Sequence, residues 1–226
     1  MTIPYYQDNA VTLYLGDCLE VTAWLEADVL VTDPPYGRDW RQGHLGGHSE
    51  SQACGGIAND DSTTTRDAAL ALWGGVAVVF GDLMLQPPIN TKLVAIYHKD
   101  AGMDGMRGAM GGVRRDAEAI YLVGPWATGL GGRSSVFATK AMVSGSHGLV
   151  ARHGGHPHTK AGNVMQALIE ICPPGVIADP FAGSGSTLVA AKALGRKSIG
   201  VELEERYCEI IAKRLSQGVL DFGGVS

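Results

Sequence analysis

The sequence predicts a doubly wound α/β domain with a mostly parallel sheet. Apolar runs too short for helices alternate along the chain with segments of helical spacing, which is the pattern of parallel strands joined by helices. Hydrophobic residues make up 45% of the 226 residues and charged residues 18%, so the chain can bury a core. Glycine, at 32 residues, has about twice its usual share but no triplet period, which excludes collagen and indicates many tight turns.

Seven strands and four helices are predicted in this alternation. The strands are expected at 11–15, 28–32, 76–80, 93–97, 119–123, 176–178 and 198–201. The helices are expected at 18–27, at 162–171, from a turn at 179–186 through residue 194, and at 204–215. The stretches 38–66 and 124–158 are rich in small polar residues and glycine, without periodicity, so both are predicted to be long loops. Loops of that length in a compact domain usually serve a function.

Several classes of protein are excluded by composition. No apolar run approaches the ~20 residues of a transmembrane helix, and the first ten residues lack the basic and apolar stretches of a signal peptide. The four cysteines are far apart and form no C-x-x-C pair, which favours reduced thiols in a cytoplasm. No metal site is expected, because neither His44 and His48 nor the histidines within 153–158 are accompanied by cysteines or carboxylates.

A glycine-containing turn predicts a ligand site in the second half of the chain. The segment Asp179-Pro180-Phe181-Ala182-Gly183-Ser184-Gly185-Ser186-Thr187 joins a predicted strand to a predicted helix. Its glycines let a ligand approach the backbone, and the helix start offers free N–H groups. Glu202 ends the next strand 23 residues after Asp179, a spacing typical of a ribose-binding acid. A simpler interpretation is a strand-to-helix turn with an unrelated acid, while a dinucleotide G-x-G-x-x-G fits badly because Leu188 stands at the third glycine position.

A second motif, Asp33-Pro34-Pro35-Tyr36, follows the predicted strand at 28–32. Such a tetrapeptide arises by chance in on the order of one chain in a thousand of this length. A Pro-Pro turn with a capping aspartate is the simpler interpretation. It does not explain why a carboxylate, a rigid backbone and an aromatic ring are held together at the carboxyl end of a strand, where open α/β sheets bind ligands.

Together these motifs resemble the amino-methyltransferases that use S-adenosylmethionine to methylate DNA bases. The tetrad precedes the cofactor loop, which resembles the circularly permuted motif order of their beta group. Weaker similarities are the Gly16-Asp17-Cys18-Leu19 segment, the His156-Pro157-His158-Thr159-Lys160 segment, and Gly200-Val201-Glu202 followed by Tyr207 and Arg214. Ala161 departs from the proline usual after the lysine, and Ser186 stands where threonine is commoner. The resemblance covers nearly the whole chain and implies one domain, 1–226, with the seven-stranded Rossmann-like sheet of class I methyltransferases.

The resemblance also implies roles for individual residues. The Asp33 carboxylate and the Pro34 carbonyl would accept the hydrogens of an exocyclic amine, the two prolines would keep the backbone rigid, and Tyr36 would stack on a flipped base. The residues implied to bind S-adenosylmethionine are Asp17, Cys18, Asp33, Lys160, Asp179, Pro180, Phe181, Ala182, Gly183, Ser184, Gly185, Ser186, Thr187 and Glu202. Residues 38–66 would form an active-site loop.

The distribution of charge favours DNA as the partner, although the net charge is −5. Residues 119–169 contain no acid, and the predicted target-recognition insert 124–158 lies within them. The candidate phosphate contacts are Arg114, Arg115, Arg133, Lys140 and Arg152. An ordinary solvated loop is the alternative for this stretch.

The expected activity is methylation of adenine N6 in double-stranded DNA, by a cytoplasmic prokaryotic or phage-encoded enzyme. The Asp33 form of the tetrad favours adenine, whereas a serine form is usual for cytosine N4, which is the first alternative. A non-catalytic DNA-binding module on the same fold is a second alternative, and a nicotinamide oxidoreductase is a poor third. A homodimer and a cognate restriction endonuclease are left open.

Overall fold

The computed structural model describes residues 2–38, 60–100, 109–140 and 159–217, which form one mixed sheet with helices on both faces. The strands are β1 (Tyr6–Gln7), β2 (Val11–Leu15), β3 (Val29–Thr32), β4 (Val76–Gly81), β5 (Thr91–Lys99), β6 (Ala117–Val123), β7 (Val136–Thr139), β8 (Ile177–Asp179) and β9 (Ser198–Glu202). The helices are α1 (Thr64–Leu72), α2 (Gly162–Ile171), α3 (Ser186–Ala193) and α4 (Glu205–Ser216), with a 3-10 helix at Thr22–Glu26. None of the helices in these ranges is long and apolar enough to cross a membrane.

The sheet is mostly parallel, in the order β1-β2-β9-β8-β3-β4-β6-β5-β7. Strands β2, β9, β8, β3 and β4 run parallel to one another, while β1 runs antiparallel to β2 and β6 runs antiparallel to both β4 and β5. The sheet therefore has nine strands and not the seven predicted, because the two-residue β1 and the four-residue β7 extend its edges. The other seven coincide with the seven predicted strands.

Strands of the sheet centre are buried on both faces, as a doubly wound fold requires. Val29 and Val31 of β3 pack with the helix Gly162–Ile171, whereas Leu30 between them packs with Trp24 on the opposite face. The alternation follows from the two-residue period of a strand. Because side chains on both faces are buried, these strands appear in the sequence as continuous apolar runs.

Three predicted segments differ in the structure. The predicted helix 18–27 is only the 3-10 helix Thr22–Glu26, because a turn at Asp17 and the buried Trp24 fix the chain there: the Trp24 indole N–H donates to the Cys18 carbonyl at 2.8 Å. The predicted loop 124–158 contains β7, and the predicted loop 38–66 ends inside α1, which begins at Thr64. Residues 39–59 and 141–158 of these two loops lie outside the described residues.

The order of the strands brings distant parts of the sequence together. Strand β3, which leads into the Asp33 tetrad, lies directly beside β8, which leads into the glycine-containing turn. The Thr32 hydroxyl donates to Asp179 Oδ1 at 2.7 Å across this pair. Because β2, β9, β8 and β3 are parallel, their carboxyl ends meet at one edge of the sheet, where α/β folds bind ligands.

Candidate active site

One cleft at this edge of the sheet contains both predicted motifs. All four tetrad residues line it, together with Asp17, Cys18, Lys160, Glu202 and every residue of the segment 179–187 except Gly185. The structure thus brings together residues that are far apart in the sequence, as the motif order predicted. Further lining residues that the sequence did not single out for the cleft include Arg38, Asp60 and Met165.

Asp179 positions the glycine-containing turn rather than facing solvent. Its side chain is buried, and Oδ1 accepts hydrogen bonds from the Thr32 hydroxyl and from the Phe181 N–H at 3.1 Å. Burial raises the pKa of the Asp179 carboxyl to about 6, although hydrogen bonds from Thr187, Thr32 and Phe181 act in the opposite direction. This carboxylate ties the end of β8 to β3 and to the turn that follows it.

Gly185 is the residue that lets the turn enter helix α3. Its φ of 78° lies in the left-handed region, and a Cβ there would be 2.9 Å from the Cγ1 of Ile211. Only glycine meets both conditions without strain. The turn is further held by Arg214, whose guanidinium donates to the Ser184 carbonyl. Arg214 therefore has a role in shaping the loop, and Tyr207, from the same predicted segment, lines the cleft.

Glu202 is oriented by the backbone on both sides of its carboxylate. Oε2 accepts the Gly183 N–H at 2.7 Å and Oε1 accepts the Glu204 N–H at 2.9 Å. The residue is 8% exposed, and burial raises the pKa of its carboxyl to about 7 against the effect of these two hydrogen bonds. Each carboxylate oxygen can accept more than one hydrogen bond, so both remain able to bind ligand hydroxyls.

The turn after β2 forms a third wall of the cleft. Asp17 Oδ1 accepts the Leu19 N–H at 2.8 Å, which fixes the turn, and the buried Cys18 lies next to it. Burial raises the pKa of the Cys18 thiol to about 12, so it stays a thiol at neutral pH. Cys18 is consequently a lining residue and not a nucleophile.

The tetrad carboxylate is held by two donors. Asp33 Oδ1 accepts the Tyr36 hydroxyl at 2.8 Å, and Oδ2 accepts the Lys160 ammonium at 2.5 Å. The Lys160 Nζ lies 5.5 Å from the centre of the Tyr36 ring and 4.9 Å from that of Phe80. Lys160, assigned by resemblance to cofactor binding, thus contacts the tetrad directly.

The Tyr36 ring is more enclosed than its predicted role requires. Tyr36 is 9% exposed, and its hydroxyl faces the Asp33 carboxylate on one side and the Glu118 carboxylate, at 3.0 Å, on the other. Burial, followed by these two negative charges, raises the pKa of the Tyr36 hydroxyl well above its usual value. Stacking of the ring on a flipped base stays a prediction.

Glu118 is the site residue that sequence reasoning missed. Its carboxylate contacts Tyr36, lies 3.4 Å from the Lys160 Nζ and pairs with Lys99. It receives no role from the sequence alone, because the strand is predicted to begin at residue 119. The available signal was an ionisable residue at the start of an otherwise apolar strand.

The candidate DNA-contacting residues Arg114, Arg115, Arg133 and Lys140 lie outside the cleft. Arg114 pairs with Asp116 at 3.0 Å, and Arg133, whose side chain is 61% exposed, lies 3.3 Å from Glu170. Arg115 and Lys140 are exposed. Arg152 lies outside the described residues. The four described side chains are accessible to a large partner, and their contact with DNA stays a prediction.

Comparison with known proteins supports the resemblance drawn from the motifs. Residues 126–213 match a family model described as DNA methylase. The chain is 36% identical over 84 residues to the type II methyltransferase M.ScaI of Streptomyces caespitosus, and 43% identical over 67 residues to M2.LlaDCHI of Lactococcus lactis subsp. cremoris. These matches cover 36% and 29% of this chain, and only 28% and 25% of the two relatives.

Solved structures confirm the predicted fold. A complex of M1.HpyAVI with S-adenosylmethionine superposes with a TM-score of 0.64 at 21% identity, covering 91% of this chain and 98% of that one. The cytosine-N4-specific PvuII DNA methyltransferase superposes with a TM-score of 0.63 at 14% identity, covering 100% of this chain and 91% of that one. The sheet and its helices are therefore those of a Rossmann-like class I methyltransferase.

Proposed function

We propose that this chain methylates the N6 amine of adenine in double-stranded DNA. It resembles the S-adenosylmethionine-dependent DNA amino-methyltransferases in its motifs, its fold and its family-model match. The observation that carries this proposal is the single cleft shared by the Asp33 tetrad and the segment 179–187. A cofactor held by the segment and an amine held by the tetrad would meet in that cleft.

The residues of the cleft suit S-adenosylmethionine. Glu202 presents a carboxylate, fixed by two backbone N–H groups, that can accept the hydroxyl hydrogens of a ribose. Phe181 and the turn around Gly183 offer an apolar contact and a close backbone approach. When bound, the cofactor supplies a methyl group activated by a sulfonium, so the chemistry requires no metal.

Asp33 performs the central step in this proposal. An exocyclic amine is a poor nucleophile because its lone pair is delocalised into the ring. The Asp33 carboxylate and the Pro34 carbonyl accept one amine hydrogen each, which localises the lone pair on nitrogen and aims it at the methyl group. Pro34 and Pro35 fix the backbone, so these acceptors are in place before the base arrives.

Lys160 keeps Asp33 suited to this task. Burial acts to lower the pKa of Lys160, but the carboxylates of Asp33 and Glu118 outweigh burial and raise it, so the ammonium stays charged. The Lys160 ammonium donates to Asp33 Oδ2 at 2.5 Å and so fixes the orientation of the Asp33 carboxylate.

Transfer of labelled methyl groups tests this function. Purified protein incubated with methyl-labelled S-adenosylmethionine and duplex DNA is expected to label the DNA. Asp33→Ala should still bind the cofactor, because the contacts around Glu202 are intact, and it should transfer no label. Glu209→Ala, which removes an exposed carboxylate of α4, is the matched control and should keep full activity. Binding of DNA and cofactor without transfer by the unaltered protein would favour the non-catalytic alternative.

Methylation of cytosine N4 is the second candidate function. It is supported by the structural similarity to a cytosine-N4-specific enzyme, which is a similarity of fold. The two functions differ in the modified nucleoside, so the same labelled DNA decides between them.

The type II methyltransferases among the relatives support a place in a restriction-modification system, while a partner nuclease and a homodimer stay predictions.

A further inference from the structure

A row of oxygen atoms leads away from the cleft behind Asp33. The Tyr36 oxygen lies 2.8 Å from Asp33 Oδ1 and 3.0 Å from Glu118 Oε2. A hydroxyl has one hydrogen and can donate it to one of these carboxylates at a time. The arrangement therefore allows a proton to enter the Tyr36 oxygen from one side as the hydroxyl hydrogen leaves on the other.

Lys160 holds the two ends of this row together. Its Nζ lies 2.5 Å from Asp33 Oδ2 and 3.4 Å from Glu118 Oε2, and its side chain is 4% exposed. A charged ammonium has no lone pair with which to take a proton. It therefore neutralises the repulsion between the two carboxylates without interrupting the path through Tyr36.

We propose that Glu118 receives the proton released by methyl transfer, through the Tyr36 hydroxyl. The inference rests on the proposed function. In that reaction the amine nitrogen forms a bond to the methyl carbon as the carbon–sulfur bond breaks, which leaves nitrogen with a positive charge. A nitrogen–hydrogen bond then breaks and Asp33 takes the proton. Asp33 passes a proton to the Tyr36 oxygen while the Tyr36 hydrogen moves to Glu118, so Asp33 is restored for the next cycle.

Glu118 is placed to release the proton to solvent. Its side chain is 12% exposed, and on its far side it pairs with Lys99, whose side chain is 19% exposed. Among the described residues, the charged groups in contact with this path are Asp33, Lys160 and Lys99, with the Tyr36 hydroxyl between the carboxylates. The two ammonium groups beside the carboxylates repel an added proton and favour its release.

Asp116, just before β6, is a second carboxylate near Glu118, and it takes no part in the proposed proton transfer. Asp116 lies 3.0 Å from an Arg114 guanidinium nitrogen and 3.8 Å from His98 Nε2. It is a carboxylate two residues before Glu118, and no observed contact within the described ranges joins it to Tyr36. Asp116→Asn is therefore a matched control.

Two variants separate this role from base stacking and from packing. Tyr36→Phe keeps the aromatic ring and removes only the hydroxyl. Glu118→Gln keeps the size and hydrogen-bonding capacity of the side chain but cannot take a proton. Both should bind S-adenosylmethionine as tightly as the unaltered protein, since neither side chain holds the cofactor loop.

Methyl transfer to duplex DNA over many turnovers, compared with a single turnover, tests the proposal. Each variant should lower the steady-state rate at least tenfold, within the range of general acid–base effects. The first turnover should be little changed, because the proton leaves the nitrogen after the methyl group has arrived. The double variant should be no slower than the slower single one, because both changes interrupt one path. In Glu118→Ala, whose shorter side chain leaves space for it, added formate should partly restore the steady-state rate by accepting the proton itself. Asp116→Asn should match the unaltered protein.

Three results would overturn the proposal. A Glu118→Gln variant with an unchanged steady-state rate would show that the carboxylate takes no proton. Steady-state rate losses that multiply in the double variant, or a slow Glu118→Ala variant that formate does not restore, would assign both residues a packing role. An unaltered protein that transfers no methyl group would instead refute the proposed function, and this step with it.

Discussion

The affinity for the cofactor should depend on pH through Glu202. Burial raises the pKa of this carboxyl to about 7, and the proposed ribose contact requires the ionised form as acceptor. With that pKa, the ionised fraction is about 0.9 at pH 8 and about 0.1 at pH 6. The dissociation constant for S-adenosylmethionine should therefore rise about tenfold between pH 8 and pH 6.

Isothermal titration calorimetry at a series of pH values measures this effect. Glu202→Gln should bind the cofactor weakly and lose the pH dependence that belongs to this group, while any remainder belongs to Asp179, whose carboxyl has a pKa raised to about 6, or to the cofactor. Glu209→Gln, an exposed site on α4, should keep the full dependence. An affinity that is flat from pH 6 to pH 8 in the unaltered protein would refute the assignment of Glu202 as a charged acceptor.

The Glu202 carboxyl should also make the free energy of unfolding of the cofactor-free protein depend on pH. A pKa raised from 4.5 to about 7 means that the folded state holds the proton more tightly than the unfolded chain. The stabilisation is fully present below pH ~4.5 and is lost as the pH rises through about 7, by an amount on the order of 3 kcal/mol. Urea unfolding at pH 5 and pH 8 measures it, and bound cofactor should reduce the difference.

Three further predictions concern packing, loop positioning and DNA contact. Gly200→Ala should lower the free energy of unfolding by about 1–3 kcal/mol in urea, because its Cβ would lie 2.6 Å from Leu188 Cδ1. Thr32→Val should cost about 1–3 kcal/mol, since it removes a buried hydrogen bond to Asp179, and a cost near zero would contradict the role given to that bond. Arg115→Ala should weaken DNA binding and reduce the salt dependence by about one unit of log–log slope, measured by fluorescence anisotropy, whereas an unchanged slope would remove this side chain from the interface.

Helices and strands were predictable where the apolar residues in the sequence pattern are the residues buried in the fold. The helix Gly162–Ile171 has the predicted bounds because its apolar residues lie on one face against the sheet. The five central strands follow apolar runs that are buried on both faces. Their order and direction required the family resemblance, since an apolar run does not specify its neighbour.

Elements fixed by long-range contacts were not predictable. Strand β7 (Val136–Thr139) exists because it pairs with the end of β5, and nothing local in its four residues distinguishes it from the surrounding loop. The antiparallel direction of β6 is likewise decided by its partners β4 and β5.

The candidate site was predictable where its residues form motifs. The tetrad and the segment 179–187 meet as expected because each follows a parallel strand of the same sheet. Glu118 was not predictable, because its role depends on Tyr36 and Lys160, which reach it from other elements. Its local signal, an ionisable residue at the start of an apolar strand, does not specify which distant residues it contacts.

Mass spectrometry of nucleosides from treated DNA tests the central claim most directly. DNA incubated with the protein and S-adenosylmethionine is expected to contain N6-methyladenine, and DNA incubated with Asp33→Ala is expected to contain none. N4-methylcytosine without methyladenine would contradict the assignment of adenine. The absence of any methylated base, from a protein that binds both the cofactor and DNA, would contradict the claim that this cleft transfers a methyl group.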